Sequence, residues 1–251
     1  MTTTRVRDGQ PRPFYEIRNA ASDDVAEVFI YEQIGESFWG DGVGAKKFAA
    51  DLRAITAPRI DLHLNSPGGS VFDGQAIHNA LVRHPAAVTV FIDGLAASIA
   101  SVIALAGERI IMASNALFMI HDPSGGVWGT SDDMMKMAEV LDKIKDTIVG
   151  QYAERTGQAA ADLATAMSEE TWYTAQEALD AGFIDEIGVE ASATAAFDLS
   201  RFGYRHVPDN LTAAPAAPTV PGQGGAPGPA TGGAPDSPAD TWIPGLGFVN
   251  F

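Results

Sequence analysis

The chain has 251 residues, 16 Lys and Arg against 32 Asp and Glu, a net charge of −16, and no Cys. That charge argues against a protein that coats nucleic acid, which needs clustered Lys and Arg. The missing Cys excludes disulfide scaffolds, thiolate zinc sites, iron–sulfur clusters and a Cys nucleophile, and fits a reducing compartment without fixing one.

The first fourteen residues carry Arg5, Arg7 and Arg12 but no apolar stretch, so they do not read as a signal peptide. Residues 25–31 form a β-type run (Val25, Val28, Phe29, Ile30, Tyr31), and 43–55 place Val43, Phe48, Leu52 and Ile55 at helical spacing. A short strand over 60–64 stops at Asn65-Ser66-Pro67-Gly68-Gly69, and 72–82 read as a helix. Residues 88–92 are an apolar strand, and 98–105 a buried, Ala-rich helix. The weakly polar run 94–107 is too short to span a bilayer and carries Ser98 and Ser101. Strands over 109–112 and 116–120 precede a long helix after Ser131, where Met137, Leu141, Ile144, Ile148 and Tyr152 recur at three or four. A last helix over 175–181 leads to Phe183-Ile184-Asp185. Strands alternating with helices predict an α/β fold, a mainly parallel sheet covered by helices.

The predicted body is 25–190, preceded by a partly flexible segment 1–24 and extended by 191–205. From 206 to 251 there are 9 Pro and 8 Gly and no Lys or Arg, which predicts a disordered tail. It holds three of the acidic charges (Asp209, Asp236, Asp240) and ends in an apolar stretch from Trp242 to Phe251. That stretch reads either as a docking peptide or as a chance apolar end. The default expectation is a soluble cytoplasmic protein, without membrane or nucleic-acid partners.

In α/β sheets, sites gather at the carboxyl ends of strands. Three loops meet that description. In Asn65-Ser66-Pro67-Gly68-Gly69-Ser70, two glycines permit close approach of a ligand, and an outward Gly N–H could meet an oxyanion; the plainer reading is a Pro-Gly turn. In Asp93-Gly94-Leu95-Ala96-Ala97-Ser98, the strand ends, Gly94 turns the chain, and Ser98 opens a helix near its positive dipole end. That follows the logic of a nucleophile elbow, with the Ile99 N–H as half of an oxyanion hole; the plainer reading is an N-cap serine. In Met119-Ile120-His121-Asp122-Pro123-Ser124-Gly125-Gly126, His121 is the one His of five at a strand end before a Gly-rich loop; a hydrogen-bonded structural His is the plainer reading. A Ser–His pair calls for an orienting carboxylate, and Glu169-Glu170, shortly before the last helix, are candidates or else a solvated pair near a cap. No metal-ligand spacing and no Walker-type loop is present, so no metal or cofactor is expected.

Taken together and in order, these segments resemble the Clp-type serine proteases (ClpP peptidases). The resemblance rests on Asn65-Ser66-Pro67-Gly68-Gly69, Gly94-Leu95-Ala96-Ala97-Ser98, Met119-Ile120-His121-Asp122-Pro123 with Gly125-Gly126, and the ending Thr174-Ala175-Gln176-Glu177-Ala178 with Gly182-Phe183-Ile184-Asp185. It covers about 25–190. It implies a ClpP/crotonase-like spiral of ββα units with a protruding handle helix. It implies Ser98 as nucleophile, His121 as general base, and an oxyanion hole from the N–H groups of Gly69 and Ile99, with Gly68 shaping its loop. The family's acid is an Asp; aligning 175–185 puts Glu170 there, a departure that leaves Glu169 as the other candidate. The resemblance further implies peptide or protein substrates and a ring-shaped homo-oligomer meeting through the handle, to which Met134, Met135 and Met137 add adaptable apolar surface.

Ile34-Gly35-Glu36-Ser37-Phe38-Trp39-Gly40 followed by Val43-Gly44-Ala45-Lys46, with the Pro/Gly/Ala tail, is similar to the phage and prophage branch. Those are head maturation proteases that trim scaffold and capsid proteins, which would set the work in a host cytoplasm or assembling procapsid. Rival readings are a housekeeping peptidase fed by an ATP-driven unfoldase, a crotonase-type acyl-CoA enzyme, which needs no Ser–His pair, and a non-enzymatic shell or scaffold partner with a decayed site.

Overall fold

The structure is a computed structural model and describes residues 14–18, 21, 24–35, 44–191, 197–208 and 211. Residues 36–43, which carry most of the phage-branch likeness, and 212–251 of the predicted tail lie outside the described residues.

The strands are β1 (Tyr15–Arg18), β2 (Val25–Ile30), β3 (Arg59–Ser66), β4 (Ala87–Ala97), β5 (Arg109–Ala113), β6 (Leu117–Ile120), β7 (Thr171–Thr174) and β8 (Glu186–Gly188). The helices are α1 (Ala45–Leu52), α2 (Val71–Val82), α3 (Ile99–Ala104), α4 (Ser131–Thr156), α5 (Ala160–Ser168) and α6 (Ala175–Asp180), followed by a 3-10 turn at Leu199–Phe202. Among the described residues, eight strands form one sheet in the order β1-β2-β3-β4-β5-β8, with β6 on β4 and β7 on β6. Pairing is parallel except at β1–β2 and β6–β7. The mainly parallel α/β sheet expected from the alternation is therefore present.

Burial alternates along β2, β3, β4 and β5. Val28, Ile30, Leu62, Leu64, Val90, Ile92, Ile110 and Met112 point into the core, while Phe29, His63 and Phe91 form a half-buried row on the opposite face. This is the period-2 pattern of a sheet with one fully covered face.

Strand β4 departs from the expected ending. Gly94 does not turn the chain: β4 continues to Ala97 and changes partner, from β5 at Thr89–Ile92 to β6 at Leu95–Ala97. The turn falls at Ser98 itself, which has φ 56 and ψ −129.

Helix α4 has 26 residues, about 39 Å at 1.5 Å per residue. A Thr130/Asp133 capping box starts it and Gly157 in the left-handed region ends it. Its buried residues, Ile148, Val149 and Tyr152, all belong to the C-terminal half. Met134 and Met135 are 51% and 58% exposed, so the first turns do not pack on the body.

Further elements carry little sequence signal: β1, α5, β7, β8 and the 3-10 turn. Strand β7 lies between Glu170 and the last helix, so Glu170 precedes a strand rather than that helix.

Candidate active site

Two registers assemble the site. Ala97 of β4 pairs with Met119 of β6 in parallel, and the Ser98 N–H donates to the Met119 carbonyl at 3.0 Å. Ser98 and His121 thus leave the carboxyl ends of adjacent parallel strands. Ile120 pairs with Thr171 antiparallel, which sets Glu170 opposite His121.

The Ser98 Oγ and His121 Nε2 lie 2.7 Å apart. Ser98 holds the N-cap position of α3, yet its side chain makes no cap hydrogen bond. Its hydroxyl faces His121 instead. Among the described residues, the non-glycine positions with positive φ are Ser98 (56°) and Glu170 (55°). Such backbone costs of order 1–3 kcal/mol and persists only where its surroundings over-determine it. Here Ser101 helps: its buried Oγ donates to the Ser98 carbonyl at 2.5 Å and lies 2.6 Å from the Tyr152 hydroxyl. Helix α4 is thereby tied to the backbone beneath Ser98.

The loop between β3 and α2 supplies the opposite wall. Gly68 (φ 95°) and Gly69 (φ 143°) adopt backbone closed to most side chains. A Cβ on Gly68 would fall 2.8 Å from the Ser98 Cβ, and one on Gly69 would fall 2.2 Å from the Ile34 carbonyl oxygen. The Gly68 N–H donates to Ser66 Oγ at 3.2 Å. The bridge to Ile34 uses the Gly68 carbonyl and the Ser70 N–H and leaves the Gly69 N–H unengaged by it. The Ile99 N–H, first in its helix, has no carbonyl four residues back within α3. Gly69 and Ile99 are thus suited to donate to an oxyanion, and Gly68 to shape the loop.

His121 is pushed below the ordinary imidazole pKa, chiefly by burial; Glu170 and Asp122 pull it back up, and Arg205 adds to the depression. A neutral imidazole at pH 7 can accept the Ser98 proton. Glu170 is 4% exposed. Burial works to raise its pKa and is outweighed by N–H donors from His206, Arg205 and Trp172, so it stays below the usual carboxylate range. The Arg205 N–H donates to both Glu170 oxygens at 2.8 Å, the His206 N–H to Oε1 at 2.8 Å and Trp172 Nε1 to Oε1 at 3.2 Å. Among the described residues, none of the hydrogen bonds of Glu170 runs to His121. Glu169, the other candidate, presents its backbone carbonyl to His206 Nδ1 at 2.9 Å.

The segment 197–208 was not legible as part of the site. His206, assigned by composition to the tail, bonds to the body, and Tyr204 stands edge-on to His121 with ring centroids 5.2 Å apart. The one signal was local: Phe197, Leu199, Phe202 and Tyr204 are apolar or aromatic just ahead of the Pro/Gly-rich stretch.

A family model described as Clp protease matches residues 17–191. The chain belongs to the Clp protease family. It is 35% identical over 175 residues to the ATP-dependent Clp protease proteolytic subunit 2 of Rhodococcus jostii, covering 66% of this chain and 89% of that one. It is 37% identical over 154 residues to proteolytic subunit 3 of Streptomyces coelicolor, covering 59% and 70%. A solved structure of a ClpP1 mutant from Listeria monocytogenes superposes with a TM-score of 0.57 at 27% identity, covering 65% of this chain and 91% of that one. The fold is ClpP-like, and by family the chain is a serine-type peptidase, a hydrolase. The crotonase-type reading is set aside by the same findings. Among the described residues, no helix is long and apolar enough to cross a membrane.

Proposed function

We propose that the chain is a serine endopeptidase whose nucleophile is Ser98, whose general base is His121 and whose acid is Glu170. The observation that carries this is the 2.7 Å contact between Ser98 Oγ and His121 Nε2 at the ends of two adjacent parallel strands. As Ser98 attacks a peptide carbonyl, His121 takes its proton and later returns it to the leaving amine. The Gly69 and Ile99 N–H groups meet the tetrahedral oxyanion, and Glu170 stabilises the imidazolium by charge. A fluorophosphonate should label Ser98 in the parent chain and not in Ser98→Ala, and that variant should bind peptide without cleaving it. Undiminished cleavage by Ser98→Ala overturns the assignment.

The biological setting is a narrower proposal. The likeness of 34–46 and the composition of the tail favour a phage head maturation protease acting on capsid or scaffold proteins in a host cytoplasm or procapsid. The names of the relatives, ATP-dependent Clp protease proteolytic subunits, favour a second reading: a cytoplasmic peptidase subunit working with an unfoldase. On either reading the exposed Met134 and Met135 on α4 suit contacts between copies in a ring. Cleavage of a co-expressed scaffold protein without ATP supports the first reading. Processive degradation that needs an unfoldase and ATP supports the second. A 26.3 kDa monomer in gel filtration at working concentration counts against the ring.

A further inference from the structure

The chain's own C-terminal segment lies across the catalytic pair. Leu199 is buried against Leu95, Ala97 and Met119 of β4 and β6, with Phe197, Phe202, Tyr204 and Val207 packed on the same cluster. Gly203, at φ 68°, turns the chain after the 3-10 turn and delivers Tyr204. The Tyr204 ring meets His121 edge-on and Trp172 at 5.8 Å, and Phe202 stacks behind it at 5.7 Å. Its hydroxyl donates to the Pro67 carbonyl, in the loop that also carries Gly68 and Gly69. The next two residues are held through their backbones: the Arg205 and His206 N–H groups reach the Glu170 carboxylate. Arg205 Nη2 donates to the Ser168 carbonyl at 2.8 Å, and His206 Nδ1 lies 2.9 Å from the Glu169 carbonyl.

We propose that residues 202–206 are a tethered peptide ligand seated in the substrate cleft, and that the full chain is latent until they leave. This rests on the Ser98 assignment and deepens it. Attack needs a carbonyl carbon about 3 Å from Oγ. The space beside Ser98 and His121, between the β3–α2 loop and β7, is filled by Tyr204. The segment also engages the acid: Glu170 accepts from Arg205 and His206 rather than from His121. The cleft therefore takes a peptide led by a bulky aromatic side chain, the chemistry of the segment it already holds. Tethering keeps the local concentration of that ligand in the millimolar range, so external peptides compete poorly until the segment is displaced or cut.

The test is the rate at which a fluorophosphonate labels Ser98 in the full-length parent, in Tyr204→Ala, and in Arg205→Pro, which removes one N–H donor without emptying the aromatic site. Reactivity scales with the open fraction, so both variants should label faster, Tyr204→Ala by about tenfold or more. A synthetic peptide of residues 197–208 should slow Tyr204→Ala back toward the parent rate, and the same peptide with Tyr replaced by Ala should not. Circular dichroism matching the parent establishes that each variant is folded. Folded variants that label at the parent rate or slower overturn the proposal while leaving Ser98 as nucleophile. Absence of labelling in the parent and both variants overturns the Ser98 assignment and the proposal with it.

Discussion

Replacing Ser101 by alanine should destabilise the fold and loosen Ser98 from below. The Ser101 hydroxyl is fully buried and joins the Ser98 carbonyl at 2.5 Å to the Tyr152 hydroxyl at 2.6 Å. The Ser98 carbonyl keeps a second donor in Ser101→Ala, the Ser101 N–H at 2.9 Å. The Tyr152 hydroxyl, 1% exposed as a residue, loses its Ser101 partner and stays buried. Stranding a buried hydroxyl costs about 1–3 kcal/mol, a fall in Tm of roughly 2–12 °C for a body of this size. Tyr152→Phe removes the other end but leaves Ser101 bonded to Ser98, so it should cost only about 0.5–1.5 kcal/mol. The double variant strands nothing at Tyr152 and should be more stable than Ser101→Ala alone, giving a coupling visible in a double-mutant cycle. Urea denaturation of the four chains measures this. Turnover should fall in Ser101→Ala with KM little changed, because the strained Ser98 backbone loses a support. A Ser101→Ala chain as stable as the parent, or a double variant less stable than Ser101→Ala, refutes the reasoning.

Glu170→Gln should lower kcat and move the acidic limb of kcat/KM to lower pH, because the Glu170 charge raises the His121 pKa; a limb that moves up refutes it. Gly69→Ala should cut turnover by about 100- to 1,000-fold, the loss of one oxyanion donor, because a Cβ there would meet the Ile34 carbonyl oxygen at 2.2 Å; unchanged kcat in a folded variant counts against the oxyanion role. The His63 Nδ1 lies 2.8 Å from Asp93 Oδ2. Burial lowers its pKa, but Asp93 outweighs that and holds it above the ordinary value. Its stabilisation is therefore complete below the unfolded His pKa of about 6.5 and is lost as pH rises through the raised folded value. Melting temperatures across that window should fall with pH in the parent and more shallowly in Asp93→Asn.

How much of this was legible depends on what each element relies on. Ser98 and His121 stood out because strand ends followed by small residues or glycines leave a pattern in the sequence. The misplaced turn at Gly94 has a physical cause. Strand β4 is 11 residues long because it serves two partners in succession, and a change of pairing partner leaves the composition of a strand unaltered. Strand β7 leaves no sequence pattern because four residues, Thr171–Thr174, are too few to show a period. Without β7 the register of Ile120 with Thr171 is invisible, and Glu170 could be reached only through the family resemblance. The segment 197–208 has neither helical nor strand periodicity, and its role comes from long-range backbone contacts that no local pattern encodes.

The Glu170 carboxylate links the catalytic reading to the tethered-ligand reading. Its Oε1 already accepts from Trp172, Arg205 and His206, while Oε2 accepts from Arg205 alone. A carboxylate offers about four lone-pair sites, so the donors of the C-terminal segment take up most of its capacity, and they hold it anionic despite its burial. When that segment leaves, two backbone donors leave with it, and a desolvated carboxylate cannot stay unsatisfied at low cost. The cross-strand register sets His121 opposite, and only one of its ring nitrogens is engaged by Ser98, so an N–H on the other can compete for the vacated sites. On the proposed assignments, departure of Tyr204 would open the cleft and release Glu170 toward His121 in the same event, so the C-terminal segment would act on geometry as well as on access.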